Sequence, residues 1–184
     1  MATDFALRYA AHCVRQGGVI AYPTETVYGL GCDPLCARAV NRINSLKGRD
    51  AGKGLILLAS SLTQLDTLIN VPDHNDRADI VGEQVPTSWI VPATRNAPEW
   101  ITGRHSTIAI RVTSHPLVMR LCNQLGHALV STSANPAGRK PALNALQLHR
   151  YFDGLVDSML TSNHNCSGRP SRIRDLKSRR LLRK

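Results

Sequence analysis

Hydrophobic and polar positions follow two different periods along this chain, and each period indicates one type of secondary structure. Through residues 3–16 apolar residues recur at helical spacing, with Thr3 as a suitable N-cap and Gly17-Gly18 ending the pattern. Short continuous apolar runs bounded by turn residues indicate buried strands instead. The clearest such run is residues 54–59, GLILLA. The chain is therefore expected to mix helices and strands.

The same criteria divide most of the chain into interleaved elements. Helices are predicted over residues 3–16, 34–47, 62–69, 116–125 and 142–152. Strands are predicted over residues 19–22, 54–59, 88–92, 107–113, 128–131 and 155–160. Loops are predicted over residues 98–103 and 133–140, and over the polar residues 70–83, which leave room for one helix. This interleaving predicts an α/β fold with a twisted, mixed sheet.

One stretch organises the rest of the chain: residues 19–31, VIAYPTETVYGLG. It begins as a short apolar strand, turns at a Pro/Thr-rich segment and ends in Gly-Leu-Gly, just before a helix start at Asp33-Pro34. Three later segments are expected to meet it. They are residues 47–49, KGR; residues 108–112, IAIRV; and residues 131–135, STSAN.

Composition narrows the class of protein. The 184 residues are 42% hydrophobic and 20% charged, which predicts one soluble globular domain. No apolar run reaches the roughly 18 residues of a membrane span, and the N-terminus lacks a secretory pattern. Five cysteines at irregular spacing do not form a disulfide framework, and no second pair completes a zinc site with Cys32 and Cys36. A cytoplasmic protein with no membrane contact and no metal site is expected.

Positive charge is concentrated at the C-terminal end. The chain has a net charge of +10, and residues 169–184 carry eight Lys or Arg and one acid, Asp175. Such a segment favours a polyanionic partner, but it is equally consistent with a solvated tail. We divide the chain into a domain over residues 1–176 and a basic C-terminal tail over residues 177–184.

Candidate chemistry is carried first by basic residues. Arg111 interrupts an apolar strand, so it must face solvent or pair with an anion. Lys47 and Arg49 flank Gly48 at a helix end, a geometry that suits phosphate or carboxylate. Both cations would also complement the helix dipole without any ligand.

Residues 131–135 place three hydroxyls and an amide at the carboxyl end of a strand, where α/β sheets bind ligands, although an ordinary turn has the same composition. The chain has no nucleophile elbow, P-loop or dinucleotide fingerprint. This inventory fits catalysis by positioning and charge neutralisation, as in nucleotidyl transfer, and it also fits a plain anion or RNA binder.

Five segments together identify a family. AYPTETVYGLGCD, LKGRD followed by GKGLILLA, IAIRVTSHPLV, LVSTSAN and GRPSRIRD resemble the YrdC/TsaC family in order and spacing, over about residues 5–176. The resemblance implies a single YrdC-like domain, with a twisted sheet flanked by helices and a basic concave face. It also implies the short, single-domain bacterial form of threonylcarbamoyl-AMP synthase, a nucleotidyltransferase.

The implied reaction joins L-threonine, bicarbonate and ATP, which brings Mg2+, into threonylcarbamoyl-AMP and pyrophosphate. A separate transferase then passes the threonylcarbamoyl group to the adenosine next to the anticodon of tRNA. By this resemblance, tRNA is a further partner through the basic face and tail.

The resemblance also implies roles for individual residues. The family's K-x-R and S-x-N signatures fall on the four residues expected to surround ATP and the reacting groups: Lys47, Arg49, Ser133 and Asn135. Threonine is expected to meet Arg111 through its carboxylate and Thr24 and Thr26 through its hydroxyl or carbamate, with Tyr28 in the pocket wall. Ser171 and Arg174 lie in the last motif and are expected to contact phosphate or ribose.

Two departures from the family pattern keep an alternative open. A W-P-G-P-x-T segment is replaced by residues 83–88, EQVPTS, in which only Pro86 and the hydroxyl of Ser88 remain. The final P-S-T becomes Pro-Ser-Arg at residues 170–172. The alternative is a non-catalytic tRNA- or rRNA-binding protein with a degenerate nucleotide site. A hydrogenase maturation factor would need acylphosphatase and zinc segments that this sequence lacks.

Overall fold

A computed structural model describes residues 3–162 and 166–184, and one mixed sheet runs through it. In this part of the chain the strands are β1 (Ile20–Tyr22), β2 (Gly29–Gly31), β3 (Ile56–Ala59), β4 (Thr87–Pro92), β5 (Thr107–Val112), β6 (Leu129–Ser133), β7 (Ser158–Met159), β8 (Arg172–Asp175) and β9 (Leu181–Arg183). Their order is β7-β1-β2-β6-β3-β5-β4-β8-β9. Because β1/β7, β3/β5 and β4/β8 are parallel and the other pairs antiparallel, the predicted mixed α/β sheet is confirmed.

Helices flank this sheet. They are α1 (Asp4–Arg15), α2 (Ala37–Lys47), α3 (His74–Gly82), α4 (Glu99–Thr102), α5 (Pro116–Leu125) and α6 (Ala145–Phe152). Thr3 caps α1 as predicted, since its Oγ1 accepts a hydrogen bond from the Ala6 N–H at 3.2 Å. Gly48 and Gly126 end α2 and α5 in the left-handed conformation. Among the described helices, none has the length and apolar character that crossing a membrane requires.

The two faces of the sheet are covered by different helices. On one face, Leu58 and Leu129 pack against α1 and α5. On the other face, Leu57 and Val130 pack against apolar residues of α2, α3, α4 and α6. Alternation of side chains along β3 and β6 therefore gives each face its own hydrophobic core.

Part of the first face is left uncovered, and this gap forms a cavity. Strand register places Ser131, Ile56, Ala109 and Ile90 side by side across β6, β3, β5 and β4. Ile56, Ala109 and Ile90 are only half-buried, because α1 and α5 cover the neighbouring part of the same face. The sheet thus offers an apolar floor with a hydroxyl at one edge.

Several predicted elements differ from the structure. Residues 62–69 do not form an α-helix: a single 3-10 turn covers Leu62–Gln64, and Ile69 bridges to Ala93. The loop predicted over residues 98–103 contains the short helix α4. The polar residues 70–83, which left room for one helix, do contain one, α3. Asp73 begins α3 by accepting hydrogen bonds from the N–H groups of Asn75 and Asp76.

The largest difference concerns the C-terminal end. The sequence placed residues 177–184 outside the domain as a tail, but β9 pairs with β8 and extends the sheet. Apolar periodicity gave no sign of β8 or β9, because Ile173 is the single apolar residue of β8 and β9 is only three residues long. Hydrogen bonding to the preceding strand orders this segment despite its charge.

Candidate active site

A cavity of about 490 Å³ opens over the uncovered floor of the sheet. Its walls come from the loop between β1 and β2, the segment after α2, the residues before β5, the end of β6 and the β8–β9 hairpin. Four cationic side chains line it: Arg49, Lys53, Arg111 and Arg183. Among the described residues that line the cavity there is no Asp or Glu. The cavity is therefore built for an anionic ligand.

Lys47 lies behind the cavity and ties α2 to the segment after β6. Its side chain is buried, and Nζ donates hydrogen bonds to the carbonyl oxygens of Ser133 and of Asn135, the latter at 2.9 Å. Asn135 Oδ1 is a third acceptor, at 3.3 Å. Burial, and then the charge of Arg49, lower the pKa of Lys47 to about 8.

The segment of residues 133–135 is tightly bonded within itself. Ser133 Oγ donates to Asn135 Oδ1 at 2.6 Å, and Asn135 Nδ2 donates to the carbonyl oxygens of Pro136 and Arg139 at 3.0 and 2.8 Å. Ser133 lines the cavity, whereas Asn135 does not. The structure thus brings the predicted group of four together, with Arg49 and Ser133 facing the cavity and Lys47 and Asn135 supporting them.

Arg49 is held by the backbone of the segment that leads into β3. Its Nη2 donates to the carbonyl oxygen of Gly54, while Nε is buried without a hydrogen-bond partner among the described residues. A partly buried guanidinium with an unused donor favours a ligand that accepts hydrogen bonds.

Thr24 and Thr26 line the cavity, and their hydroxyl oxygens lie 3.0 Å apart. Thr24 Oγ1 also accepts the N–H of Thr26 at 3.2 Å and donates to the carbonyl oxygen of Val27 at 2.8 Å, which fixes a tight turn. Tyr28 lies in the hydrophobic core and is not among the residues lining the cavity, so the wall position expected for it is not what the structure shows. Its hydroxyl oxygen accepts the Ser162 N–H at 3.0 Å.

Arg111 lines the cavity and is 5% exposed, with Glu25 as its ionic partner. Its Nη2 lies 3.5 Å from Glu25 Oε2, and its Nε has no hydrogen-bond partner among the described residues. Glu25 Oε1 accepts from Thr113 Oγ1 at 2.5 Å and from the His115 N–H at 3.1 Å. Burial would raise the pKa of Glu25, but the Arg111 charge and the Thr113 hydrogen bond hold it below its ordinary value. Sequence reasoning missed Glu25, although it sits between the two threonines.

The last motif contributes Ser171 but not Arg174. Ser171 lines the cavity, whereas the Arg174 guanidinium packs over the Trp89 ring, 5.8 Å from its centroid. Alternation along β8 explains the difference, because Ile173 faces the cavity and its neighbour must face away. The predicted contact of Arg174 with phosphate or ribose is therefore not supported by its position.

The altered segment over residues 83–88 keeps one contact at the cavity. Ser88 is fully buried, and its hydroxyl lies 3.1 Å from that of Ser171. Arg183 then completes this corner, since its Nε and Nη2 donate to the Ser171 carbonyl oxygen at 3.0 and 2.8 Å. Sequence reasoning missed Arg183 because it was assigned to the tail.

The lining residues do not suit a metal ion bound by the protein. No group of three or more His, Cys, Asp or Glu that could hold a metal occurs in residues 3–162 and 166–184. The cavity offers hydroxyl and carbonyl oxygens without a carboxylate, whereas a protein-bound Mg2+ usually has one or two carboxylate ligands.

A family model and a curated relative both match nearly the whole chain. The Sua5/YciO/YrdC family model, described as telomere recombination, matches residues 12–184. A threonylcarbamoyl-AMP synthase of Nitrosococcus oceani is 46% identical over 181 residues, covering 98% of each chain.

Solved structures show the same fold. E. coli YciO superposes with a TM-score of 0.87 at 25% identity, over 99% of this chain and 90% of that one. P. abyssi Sua5 complexed with L-threonine superposes with a TM-score of 0.89 at 30% identity. The match covers 95% of this chain and 52% of the Sua5 chain, so this chain spans about half of that protein.

Proposed function

Since the chain belongs to the Sua5/YciO/YrdC family, we propose that it is an L-threonylcarbamoyladenylate synthase, a nucleotidyltransferase. It makes threonylcarbamoyl-AMP and pyrophosphate from L-threonine, bicarbonate and ATP, for modification of the adenosine next to the anticodon of tRNA. The observation that carries the proposal is the cavity with four cationic side chains, an apolar floor and no lining carboxylate among the described residues.

The chemistry requires such a cavity. The threonine amine combines with bicarbonate to give a carbamate and water, and a carbamate oxygen then attacks the α-phosphorus of ATP. The bond from the α-phosphorus to the bridging oxygen breaks, and pyrophosphate leaves with the electron pair. Carboxylate, carbamate and triphosphate are all anions, so fixed positive charge must offset their repulsion before they can react.

We assign ATP to the half of the cavity near α2 and β6. Arg49 and Ser133 face this half, and Arg49 donates hydrogen bonds to the phosphates. Lys47 adds positive charge and, with Asn135, holds the segment that carries Ser133. The half-exposed Ile56, Ala109 and Ile90 form a flat apolar floor that suits the adenine base. We assign to Ser171, which also lines the cavity, a contact with phosphate or ribose from the other side.

We assign threonine to the half near the turn between β1 and β2. Arg111 binds its carboxylate, because a buried guanidinium with an unused N–H favours an oxyanion. Thr24 and Thr26 bind its hydroxyl or the carbamate through their oxygens at the cavity surface. The Sua5 structure with L-threonine supports a threonine site in this fold.

We propose that Mg2+ binds together with ATP and is not held by the protein alone. It neutralises phosphate charge when bound to the nucleotide. Because no described lining residue is a carboxylate, the protein contributes cations and hydroxyls around the phosphates.

The product is an activated carbamate and is used by a second protein. A separate transferase takes the threonylcarbamoyl group to tRNA, and the exposed cations of the β8–β9 hairpin favour tRNA as a further partner. A role in tRNA modification favours a cytoplasmic location. The relationship to named synthases supports the enzyme and not the non-catalytic RNA binder.

Pyrophosphate release tests the proposed function. The full mixture of L-threonine, bicarbonate, ATP and Mg2+ should release pyrophosphate, and omission of any of the three substrates should abolish release. Arg49→Ala should lower kcat/KM by at least about a hundredfold. Arg95→Ala is the matched control, because Arg95 is exposed and lies outside the cavity. Pyrophosphate release that does not need threonine would contradict the proposal.

A further inference from the structure

We propose that Ser88, which is buried beneath the cavity, is a positioning residue for the reaction. Its hydroxyl donates a hydrogen bond to Ser171 and thereby directs the hydroxyl proton of Ser171 at the substrates. The inference rests on the proposed function, in which Ser171 contacts phosphate or ribose. It assigns a role to the hydroxyl that the altered segment over residues 83–88 keeps from the family pattern.

Strand register places Ser88 on the cavity face of the sheet. Ile90, two residues further along β4, lines the cavity, and side chains two residues apart in a strand point to the same face. Ser88 also pairs with Ile173 of β8, which lines the cavity. Ser88 itself is fully buried and lies under the cavity wall. It can therefore act on the substrates only through another residue.

That other residue is Ser171. The two hydroxyl oxygens lie 3.1 Å apart, and Ser171 lines the cavity. Nη2 of Arg183 also donates to Ser171 Oγ, at 3.3 Å. A serine hydroxyl offers one proton and two acceptor sites. The direction of the Ser171 proton therefore depends on which of the two serines donates to the other.

Burial decides which serine donates. Among the described residues, Ser171 Oγ is the only hydrogen-bond partner of Ser88 Oγ. If Ser171 donated, the proton of Ser88 would have no acceptor at a fully buried position, which is unfavourable. If Ser88 donates, its proton is used, and Ser88 and Arg183 fill both acceptor sites of Ser171. The Ser171 proton is then left for the open cavity, where a substrate or water accepts it.

Ser171 thus acts as a donor and not as an acceptor towards the substrates. Its ligand must present an acceptor oxygen, and the phosphates and ribose of ATP and the carboxylate of threonine all do so. Without the Ser88 proton, the Ser171 hydroxyl is free to rotate, and a hydrogen bond that was preorganised must be ordered when the substrate binds. Removal of the Ser88 hydroxyl should therefore weaken substrate binding.

The experiment compares Ser88→Ala with Thr87→Val, a matched control that removes a buried hydroxyl from the adjacent residue. Thr87 Oγ1 has no hydrogen-bond partner among the described residues, and its side chain points to the other face of β4. Binding of ATP and of L-threonine to each full-length variant is measured separately by calorimetry. Ser88→Ala should weaken binding of the substrate that Ser171 contacts about 3- to 10-fold, and Thr87→Val should stay within about twofold of the wild-type chain. Ser88→Thr, which keeps the hydroxyl, should recover most of the loss.

A double-mutant cycle separates positioning from packing. If Ser88 acts through Ser171, then Ser88→Ala should change the affinity by less than about twofold in a chain that already carries Ser171→Ala. An equal loss with and without the Ser171 hydroxyl would overturn the proposal. Affinities of Ser88→Ala for both substrates within about twofold of those of Thr87→Val would also overturn it.

A second variant keeps the test decisive if Ser88→Ala fails to fold. Ser88→Cys then replaces it in the same cycle, because a thiol fills the space of the hydroxyl but donates only weakly. A wild-type chain that forms no adenylate would refute the proposed function, whereas the cycle measured on substrate binding would still decide the role of Ser88.

Discussion

Glu25 and Arg111 form an ion pair at the half of the cavity that we assign to threonine. Arg111 is nearly inaccessible to solvent, and the carboxylate of Glu25 also holds Thr113 and the His115 N–H. The arginine is therefore positioned by a residue of the same turn that carries Thr24 and Thr26. Glu25 acts as a positioning residue, because it does not line the cavity itself.

Replacing Glu25 with glutamine should separate this role from packing. Glu25→Gln keeps the shape but leaves Arg111 without its counter-charge, so we expect unfolding free energy to fall by about 1–3 kcal/mol. Because the arginine is then less well oriented, KM for threonine should rise about tenfold while KM for ATP changes little. Urea unfolding and substrate titrations measure both effects. Glu99→Gln, at an exposed residue, is the control, and equal KM values for threonine in the two variants would contradict the role.

The charge state of Lys47 should be visible in the pH dependence of activity. Its pKa is lowered from 10.5 to about 8, so the side chain loses its proton as pH rises through about 8. A neutral amine can donate only two hydrogen bonds, whereas three oxygens surround Nζ. The segment that carries Ser133 should then loosen, and KM for ATP should rise above about pH 8.

Over the same pH range, in which activity should fall, the contribution of Lys47 to protein stability should rise. Between the lowered folded pKa of about 8 and the unfolded value near 10.5, the unfolded chain binds more protons, so the Lys47 contribution to unfolding free energy increases with pH. Loss of activity above about pH 8 would thus not reflect unfolding through this group. Lys47→Arg keeps its charge and should show a flat profile. A flat profile in the wild-type chain would contradict the assignment.

At the scale of elements, β2 depends on a close approach that only glycine permits. A Cβ on Gly31 would lie 2.6 Å from the Val130 carbonyl oxygen and 2.7 Å from Tyr22 Cε1. Gly31→Ala should lower unfolding free energy by about 1–3 kcal/mol by pushing β2 away from its neighbours. Gly82→Ala is the matched control, since a Cβ there meets nothing within 4 Å and alanine favours the end of α3. Equal midpoints of denaturant unfolding for the two variants would contradict this packing.

Elements with a strong apolar period could be predicted from the sequence, whereas elements defined by backbone pairing with distant strands could not. The helix from Pro116 and the strand over 107–113 are confirmed nearly as predicted, because apolar periodicity and caps agree there. Strands β8 and β9 were missed because β8 has a single apolar residue and β9 is only three residues long. Pairing with the rest of the sheet defines both strands. The α-helix predicted over 62–69 was wrong, since only a 3-10 turn forms at Leu62–Gln64 and Ile69 bridges to Ala93.

Part of the candidate site could likewise be predicted from the sequence. Lys47, Arg49, Ser133 and Asn135 were grouped by motif, and the structure brings them together. The sequence could not show which of these four side chains face the cavity. Lys47 lies behind it because Nζ donates hydrogen bonds to the carbonyl oxygens of Ser133 and Asn135, and these contacts depend on the tertiary structure. Arg174 and Arg183 could not be distinguished without the register of β8 and β9.

At the scale of the whole molecule, two groups of positively charged residues bear on the proposed function. One group lines the cavity and consists of Arg49, Lys53, Arg111 and Arg183. The rest of the C-terminal charge is exposed on the β8–β9 hairpin, including Lys177, Arg180 and Lys184. We assign the first group to small anionic substrates and propose that the second binds a larger polyanion such as tRNA.

Removing the exposed cations of the β8–β9 hairpin tests whether they bind tRNA independently of the cavity. A triple variant, Lys177→Ala, Arg180→Ala and Lys184→Ala, should bind tRNA more weakly. The salt dependence of binding should fall by about one unit of slope for each phosphate that the protein no longer neutralises. Adenylate formation should stay near wild type, because these residues lie outside the cavity. Filter binding over a salt series provides the measurement, and unchanged tRNA affinity would contradict a role for the hairpin in binding tRNA.

The most direct test of the central claim is mass spectrometry of the product formed from L-threonine, ATP, Mg2+ and isotopically labelled bicarbonate. We expect threonylcarbamoyl-AMP that carries the bicarbonate label, and none when threonine, bicarbonate or ATP is omitted. A folded wild-type chain that binds ATP but yields no labelled adenylate would contradict the proposed function.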